Sequence, residues 1–381
     1  MQGAVLKIGI LGCRGIPNHY GGFEQFAQHL SHRLVENGHR VWVYQSSLHP
    51  FERDSWEGVN LIRQYDPEDK LGAFGQFIYD FNCLSDARKR EFDILLQLGY
   101  TSNAIWFPFW PKNAANIIHM DGFEWKRSKY IRPVRYFLKL MEGLAVRQGD
   151  ALVVDSPVIQ SYITNSYGRK SFYIPYGVSL PVKSNLRYLE DLGLSESQYF
   201  LVIARIVPEN NLETIIEGFL MSDHRLPLVI VGNTATRYAH DLVRRYKKYN
   251  ILFCGSIYNQ GVLDSLRRHC ALYFHGHSVG GTNPSLLEAM AHEIAICAHD
   301  NPFNRSVLGK DAFYFGARRD ISDAIKANDL QNVARKWGPA NYRKIKEGYQ
   351  WSRITSGFEE LFYETIASNA KLHLVLKNEK T

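Results

Sequence analysis

Short apolar runs alternate with longer amphipathic stretches through the first half of the chain. The runs are rich in Ile, Leu and Val, which is typical of strands buried in a parallel sheet. The stretches between them repeat their apolar positions at helical spacing. The apolar runs lie at residues 6–11, 40–45, 59–63, 93–98, 115–119 and 151–155. This alternation predicts a doubly wound α/β domain with a mainly parallel sheet.

Helices are predicted between these strands. The first opens with residues 21–24 and ends at Asn37-Gly38, because glycine commonly follows the last residue of a helix. The other helices of this half are predicted at residues 71–91, 132–148 and 157–167. Residues 179–197 are polar and lack strand periodicity, and we predict that they link this half to the next.

The same alternation returns after the predicted linker. The strands are expected at residues 199–206, 226–231, 251–254, 271–274 and 294–298. The helices are expected at residues 211–220, 235–249, 262–269 and 284–291, and residues 329–367 are predicted to be wholly helical. The chain is therefore predicted to carry a second Rossmann-like domain followed by helices and a polar tail.

Composition agrees with a folded protein of two domains. The chain has 381 residues, of which 45% are hydrophobic and 22% charged, and this excludes a disordered protein. The five cysteines lie far apart and include no CxxC pair, so neither a disulfide framework nor a zinc site is indicated. We predict a cytoplasmic location, since the start lacks signal-peptide features and no apolar run is long enough to span a bilayer.

The net charge of +7 is modest for this length. It is compatible with nucleic acid, an anionic membrane surface or a phosphorylated substrate, and charge alone does not choose among them.

One segment, residues 275–291, has the pattern of a phosphate site. It follows an apolar run, passes through Gly280 and Gly281 and enters a helix at Asn283, a good N-cap, and Pro284. A glycine turn between a strand and a helix start directs backbone N–H groups and the positive end of the helix dipole at one point. The alternative is an ordinary turn that binds no ligand.

A second glycine turn follows the first strand. Gly12 and Gly15 bracket it, but the spacing does not match the dinucleotide pattern GxGxxG, and no acidic residue ends the second strand. A nicotinamide-dependent oxidoreductase is therefore disfavoured.

Five motifs in this order resemble a known family. They lie at residues 12–24, 119–127, 174–178, 204–211 and 275–291. Together they are similar to the retaining glycosyltransferases of family 4, and most similar to bacterial rhamnosyltransferases of surface polysaccharide biosynthesis. The resemblance covers residues 5 to about 365.

The resemblance implies the GT-B fold, in which two Rossmann-like domains face each other across a cleft. Residues 1–180 would form the acceptor-side domain and residues 181–330 the nucleotide-sugar domain. Residues 331–367 would be helices that pack back across the domain interface, and residues 368–381 a tail.

The resemblance also implies roles for particular residues. The predicted catalytic residues are His119, Asp121 and Arg205, with Arg205 stabilising the charge of the leaving diphosphate. Glu288 would accept hydrogen bonds from the ribose hydroxyls, and the turn after the strand at 251–254 would hold the base. The predicted donor-binding residues are Arg14, Gly15, Gly255, Ile257, Thr282, Asn283, Ser285, Leu286 and Glu288.

Two positions depart from the family pattern. The family usually has a lysine that holds the diphosphate where this chain has Asn210, and we expect Arg14 to replace it. The first glutamate of the family's E-x₇-E motif is replaced by Gly280, which removes a contact to the donor sugar and is compatible with a deoxy sugar.

The resemblance implies an enzyme that transfers a sugar with retention of configuration onto a lipid-linked glycan acceptor. The best prediction is rhamnose from dTDP-rhamnose, in capsule, O-antigen or exopolysaccharide assembly, with a UDP-linked donor as the other possibility. No cofactor or metal is expected, since Arg205 and the helix start would neutralise the diphosphate and the pair His275 and His277 lacks a third ligand.

The acceptor is expected at the inner face of the plasma membrane. Residues 125–139 mix cations with aromatics and could rest on anionic headgroups, or could form an ordinary solvated basic helix. Two rival functions remain open, a UDP-sugar epimerase of the same fold and a non-catalytic module that binds a lipid surface or nucleic acid.

Overall fold

The computed structural model describes residues 3–19, 21–120, 122–127, 130–181, 185–327 and 329–378, with side chains to residue 370. The chain divides into two compact units. The first contains the residues up to Gly177 together with those from Trp351 onward, and the second runs from Val178 to Gln350. The sequence prediction placed the boundary after residue 180.

The first unit is built on an eight-stranded sheet. Its order is β3-β4-β2-β1-β5-β6-β7-β8, and all neighbours are parallel except the short edge strand β3. The strands are β1 (Lys7–Leu11), β2 (Arg40–Ser46), β3 (Ser55–Trp56), β4 (Val59–Gln64), β5 (Ile94–Leu98), β6 (Ala115–Met120), β7 (Ala151–Val154) and β8 (Phe172–Tyr173). The central strands β1, β5, β6 and β7 are almost wholly buried, which explains their continuous apolar runs.

Five helices connect these strands. They are α1 (Gly22–Glu36), α2 (Glu68–Leu71), α3 (Ala73–Ala87), α4 (Arg132–Gln148) and α5 (Pro157–Tyr167). The predicted single helix at residues 71–91 is wrong in its bounds. The chain breaks at Gly72 between α2 and α3, and α3 ends at Ala87.

The second unit has a six-stranded parallel sheet in the order β11-β10-β9-β12-β13-β14. The strands are β9 (Phe200–Ile203), β10 (Leu228–Val231), β11 (Ile251–Gly255), β12 (Leu272–His275), β13 (Ile296–His299) and β14 (Phe313–Phe315). The helices are α6 (Arg187–Glu190), α7 (Leu212–Ser222), α8 (Arg237–Tyr246), α9 (Gln260–Arg268), α10 (Pro284–Met290), α11 (Pro302–Leu308), α12 (Arg318–Lys326) and α13 (Leu330–Gly348). Strand and helix side chains such as Phe200, Phe274 and Ile216 form its buried core.

Two expectations for this unit need correction. The segment predicted as a linker contains α6, whose Leu189 is buried, and α6 packs against α9. Strand β9 ends at Ile203, three residues before the predicted end. The chain leaves the sheet there because residues 204–211 form a loop with a short 3₁₀ turn at Pro208–Asn210.

The carboxy-terminal helices belong to different units. Helix α13 packs on α10 of the second unit, whereas α14 (Trp351–Asn378) packs on α1 and β6 of the first. The predicted continuous helix over residues 329–367 is therefore interrupted at Tyr349 and Gln350. Among the described residues, no helix is long and apolar enough to span a bilayer.

Candidate functional site

The second sheet has a topological switch point between β9 and β12. The chain runs outward from β9 to β10 and β11 on one side, and from β12 to β13 and β14 on the other. Strand β12 pairs directly with β9, with Phe274 opposite Val202. Crevices at such points, at the carboxyl ends of parallel strands, are where α/β domains bind ligands. The predicted motif at residues 204–211 follows β9, and the predicted motif at residues 275–291 begins at the last residue of β12, with residues 276–283 forming the loop before α10.

These two loops are joined by hydrogen bonds. The backbone N–H and the hydroxyl of Ser278 both donate to the carbonyl of Glu209, at 3.1 and 2.8 Å. The Asn211 amide donates to the Gly276 carbonyl at 2.8 Å. Asn210 is buried and donates to the Arg205 carbonyl at 2.8 Å. The residue that replaces the family's lysine therefore holds its own loop together.

Arg205 is the exposed cation of this region. It lies two residues beyond β9, and its side chain is exposed while its carbonyl is held by Asn210. A guanidinium that is exposed at a strand end offers a fork of N–H donors to an incoming phosphate. Its role at the diphosphate stays a prediction.

The backbone N–H groups at the start of α10 donate to oxygens of the same segment. The Asn283 side chain accepts from the Ser285 N–H at 3.0 Å, as an N-cap does, and the Asn283 carbonyl accepts from the Leu286 N–H at 3.0 Å. Pro284 has no N–H. The predicted N-cap is confirmed, but the N–H groups of Ser285 and Leu286 are already engaged, so the expectation that they are available to a diphosphate needs correction.

Glu288 is held by a buried arginine that the sequence analysis missed. Nη2 of Arg267, on α9, forms an ion pair with Oε2 of Glu288, and Nη1 lies 3.7 Å from Oδ1 of Asp264. Arg267 is 1% exposed. Asp264 also lies 3.3 Å from His292 Nε2. The signal that could have revealed Arg267 is its position on the inward face of α9, one residue after the buried Leu266.

The remaining predicted donor-binding residues of the second unit lie around the same sheet edge. Gly255 ends β11, two strands from β9, and Ile257 is half-buried just beyond it. Thr282 is buried and Ser285 donates to Asn283 at 2.8 Å. The backbone at Gly280 has φ +117°, a conformation that favours glycine. The local backbone therefore accounts for a glycine where the family has a glutamate.

His275 and His277 lie stacked at the end of β12. Their ring centroids are 4.4 Å apart, and both ring nitrogens of the buried His275 lack a hydrogen-bond partner among the described residues. Burial and the neighbouring His277 hold the pKa of His275 well below its usual value, so its ring is neutral at pH 7. Within the described part of the chain, no group of three metal-ligating side chains occurs.

The glycine turn of the first unit follows β1. A Cβ atom at Gly12 would collide with the Leu98 carbonyl, and its φ of +94° also favours glycine. Gly15 lies beside the Gln45 side chain. Arg14 forms ion pairs with Glu68 and, at 3.5 Å, with Asp66. The charge of Arg14 is therefore already compensated by two carboxylates, which would compete with a phosphate for the guanidinium. This weighs against the expectation that Arg14 replaces the missing lysine.

His119 is fully buried near the end of β6. It packs among the rings of Phe23, Phe26 and Tyr176, with centroids 5.4 to 5.9 Å away. Neither ring nitrogen has a partner among the described residues. Burial lowers the pKa of His119 to about 3, so its imidazole is neutral at pH 7. Asp121 lies outside the described residues.

The first sheet has its own switch point, between β1 and β5, and a cavity of about 210 Å³ opens there. It is lined by Gly12 and Leu98 at the strand ends and by Phe23, Asp80 and Asn103, among others. The sequence analysis missed Asp80 and Asn103. The signal that could have revealed Asp80 is a charged side chain at a buried position of α3.

Two family models match the chain. Residues 187–332 match the model described as glycosyl transferases group 1, and residues 5–179 match a domain of unknown function, DUF1972. No curated protein sequence matches the chain.

Many solved structures have the same fold. Sucrose-phosphate synthase from Thermosynechococcus elongatus is 16% identical, with 95% of this chain and 100% of that chain covered at a TM-score of 0.80. HepE from Anabaena in complex with UDP and glucose is 14% identical, with 94% and 99% covered at a TM-score of 0.73. α,α-Trehalose 6-phosphate synthase from Burkholderia multivorans is 12% identical, with 97% and 98% covered at a TM-score of 0.72.

The fold and the matched domain together define the class of protein. At these low identities the solved structures establish the fold, which is GT-B, with two Rossmann-like domains. The second unit carries a glycosyl transferases group 1 domain. The chain is a glycosyltransferase of the GT-B type.

Proposed function

We propose that this glycosyltransferase moves a sugar from a nucleotide donor, with retention of anomeric configuration, onto a lipid-linked glycan acceptor in surface polysaccharide assembly. The observation that carries the proposal is the exposed Arg205 beside the ordered 276–283 loop at the β9–β12 switch point. Breaking the bond to a nucleoside diphosphate leaves negative charge on the β-phosphate, and a preorganised guanidinium stabilises that charge. The structure of Anabaena HepE with UDP and glucose supports the donor class.

Each site residue has a part in this proposal. Arg205 binds the diphosphate, and Glu288, oriented by Arg267, accepts hydrogen bonds from the ribose hydroxyls. His119, with a neutral ring and one unsatisfied N–H, contacts the transferred sugar. Positioning and charge stabilisation supply the catalysis, and we expect EDTA to leave turnover unchanged because Arg205 carries the counter-charge.

The proposed donor is dTDP-rhamnose. Gly280 lacks the carboxylate that would grip sugar hydroxyls, and this suits a deoxy sugar. A thermal-shift panel of dTDP, UDP and GDP tests the base, because a ligand that binds the folded state raises its stability in proportion to RT ln(1 + [L]/Kd). dTDP should give the largest shift. Equal shifts for all three, or none, would contradict the proposed donor.

The anomeric outcome needs a separate measurement. Proton NMR of the product formed from dTDP-rhamnose and a lipid-linked acceptor reports the configuration of the new bond within the first turnovers. Retention requires the configuration of the donor, and the opposite configuration would refute it.

We also propose that the first unit rests on the membrane that carries the acceptor. The cations of the predicted basic stretch are partly engaged, since Arg135 donates to the Trp125 carbonyl and Lys139 pairs with Glu142. The two most exposed apolar side chains of the stretch, Ile131 and Tyr136, are the better candidates for insertion. Ser128 and Lys129 lie outside the described residues.

Vesicle flotation separates the two contributions. The chain should float with vesicles that contain anionic lipid, and Tyr136→Glu should reduce flotation while leaving donor binding unchanged. Flotation that is lost in salt but insensitive to Tyr136→Glu would assign the contact to charge alone.

A further inference from the structure

We propose that Glu142 is a positioning residue for the transfer reaction. Acting through Trp125, it holds residues 122–127, which we call the motif loop, in the geometry that turnover requires. The motif loop begins at the second residue after β6, whose last residues include His119, and it belongs to the motif at residues 119–127. The proposal rests on the proposed function, because it concerns the rate of that reaction. All of these residues lie in the first unit.

The carboxylate of Glu142 is buried and accepts four hydrogen bonds. Glu142 lies on the inward face of α4 and is 1% exposed. Its Oε1 accepts from the hydroxyls of Tyr162 and Tyr167 at 2.6 and 2.7 Å and from Nζ of Lys139 at 2.7 Å. Its Oε2 accepts from Nε1 of Trp125 at 2.9 Å. The Lys139 ammonium compensates the charge, so the buried carboxylate is satisfied on both oxygens.

The three donors on Oε1 of Glu142 fix the direction of Oε2. Two of them are phenols of α5 and the third is an ammonium group of α4, so the carboxylate is restrained from both helices. Burial and the bond to Glu142 raise the pKa of Tyr167, so its hydroxyl remains protonated and donates at neutral pH. Oε2 is therefore held in place as an acceptor for the motif loop.

Trp125 joins the motif loop to α4 at three points. Its indole N–H donates to Glu142, and its carbonyl accepts from Nε of Arg135 at 2.7 Å. Nζ of Lys139 lies 4.7 Å from the centroid of its ring. Arg135, Lys139 and Glu142 are four and three residues apart and so lie on one face of the helix. One loop residue therefore contacts α4 through its backbone, its ring and its N–H.

The motif loop is also held from the sheet. The hydroxyl of Tyr100, which follows β5, donates to the Gly122 carbonyl at 2.9 Å. Gly122 has φ +130°, a conformation that favours glycine. Glu124 lies between the two anchors and lines the cavity beside β1 and β5. Loss of the anchor at Trp125 would release one side of a loop that follows His119, and a misplacement of about 1 Å near reacting groups can cost about a hundredfold in rate.

The test compares two variants of the full chain that each remove one hydrogen bond to Glu142. Trp125→Phe removes the bond from the motif loop and keeps an aromatic ring beside Lys139. Tyr167→Phe removes a bond from α5 and is the matched control. With dTDP-rhamnose and a lipid-linked acceptor at saturation, Trp125→Phe should lower kcat by about tenfold or more, because the reacting groups lose their alignment. Tyr167→Phe should leave kcat nearly unchanged.

Hydrogen exchange followed by mass spectrometry supplies a second readout that needs no substrate. Trp125→Phe should speed the exchange of the backbone amides of residues 122–127, and Tyr167→Phe should leave it unchanged. A wild-type kcat in Trp125→Phe would overturn the proposal. Equal losses of kcat in the two variants would also overturn it, because they would assign Glu142 a role in stability alone. Unchanged exchange of the motif loop in both variants would show that Glu142 does not hold it.

Failure of this proposal can be told from failure of the proposed function. Arg205 and Glu288 lie in the second unit, so the thermal shift given by dTDP or UDP should be the same in Trp125→Phe as in the wild type. A wild type without any nucleotide shift or turnover would refute the proposed function and, with it, the reaction that Glu142 would serve. The exchange comparison would still decide whether Glu142 holds the motif loop.

Discussion

The two sheets of this glycosyltransferase each have a switch point, and they treat buried carboxylates in opposite ways. In the second unit, Arg267 lies between Glu288 and Asp264 and compensates both. In the first unit, Asp80 has a hydroxyl partner on one oxygen and, among the described residues, none on the other. The compensated carboxylate is held in a prepared geometry, whereas the uncompensated one keeps a buried oxygen without a hydrogen-bond donor among the described residues.

This difference separates two ways to bury a carboxylate. A carboxylate paired with a buried arginine is oriented before the ligand arrives, and the ion pair offsets part of the free-energy cost of removing the carboxylate from water. A buried carboxyl without such a partner destabilises the folded protein. We therefore expect mutations at the two switch points to move stability in opposite directions.

The largest effect is expected from Arg267→Met. It leaves the buried carboxylate of Asp264 and the partly buried carboxylate of Glu288 without their arginine, and breaking a buried pair in this way costs about 3–5 kcal/mol. Urea unfolding followed by fluorescence measures the loss. The double variant Arg267→Met with Glu288→Leu should recover part of it. A loss below about 1 kcal/mol would mean that water already reaches the pair.

Arg205→Ala should leave stability unchanged and lower turnover. The side chain is exposed, so little packing is lost. Loss of one preorganised donor to the leaving group lowers kcat by about 10²–10³, and Arg205→Lys should recover part of this because it keeps the charge but not the fork. Steady-state kinetics with saturating donor distinguishes this from weaker donor binding. An unchanged kcat would remove Arg205 from the mechanism.

Asp80→Asn should raise stability by about 1–3 kcal/mol at pH 7, since it removes a buried carboxylate. The wild-type carboxyl has a folded pKa of about 7, above its ordinary value. The folded state therefore binds more protons between about pH 4 and 7, and wild-type stability falls as pH rises through that range. The advantage of Asp80→Asn should grow over the same range and should vanish near pH 4. Chemical unfolding at several pH values checks this.

The smallest effect is expected at the helix cap of the second switch point. Asn283→Ala removes the side-chain acceptor for the Ser285 N–H and should cost about 1 kcal/mol, whereas Asn283→Ser should keep most of the cap. Thermal unfolding compares the two variants. Equal losses for both would show that the loop, and not the cap, sets the stability of this region.

Much of the fold could be predicted from the pattern of apolar positions. Strands such as β5 and β6 were predicted to within about one residue, because buried parallel strands have continuous apolar runs. The break at Gly72 and helix α6 were missed. Helix α6 packs on α9, far along the chain, and it is too short to show helical periodicity. The break at Gly72 is local, since this glycine has φ +56° at the end of α2, but the apolar spacing runs on through it and hides it.

The candidate site was predicted unevenly. The Asn283 cap follows from local chemistry, since the side chain and the N–H it accepts from lie two residues apart. The partners of Arg14 and Glu288 could not be predicted, because Asp66 and Arg267 lie 52 and 21 residues away. A charged side chain that looks available in the sequence can therefore be compensated in the fold.

The sequence by itself determined the alternation of strands and helices, the two-domain order and the motifs that follow β9 and β12. These are local properties, set by periodicity, turns and caps within a few residues. Only the tertiary structure decided which charges are compensated. The hydrogen bond from Ser102 to Asp80 and the ion pair between Arg267 and Glu288 join segments that meet only when each sheet is assembled. Burial and pairing are properties of that assembly, and they decide what a polar side chain can do.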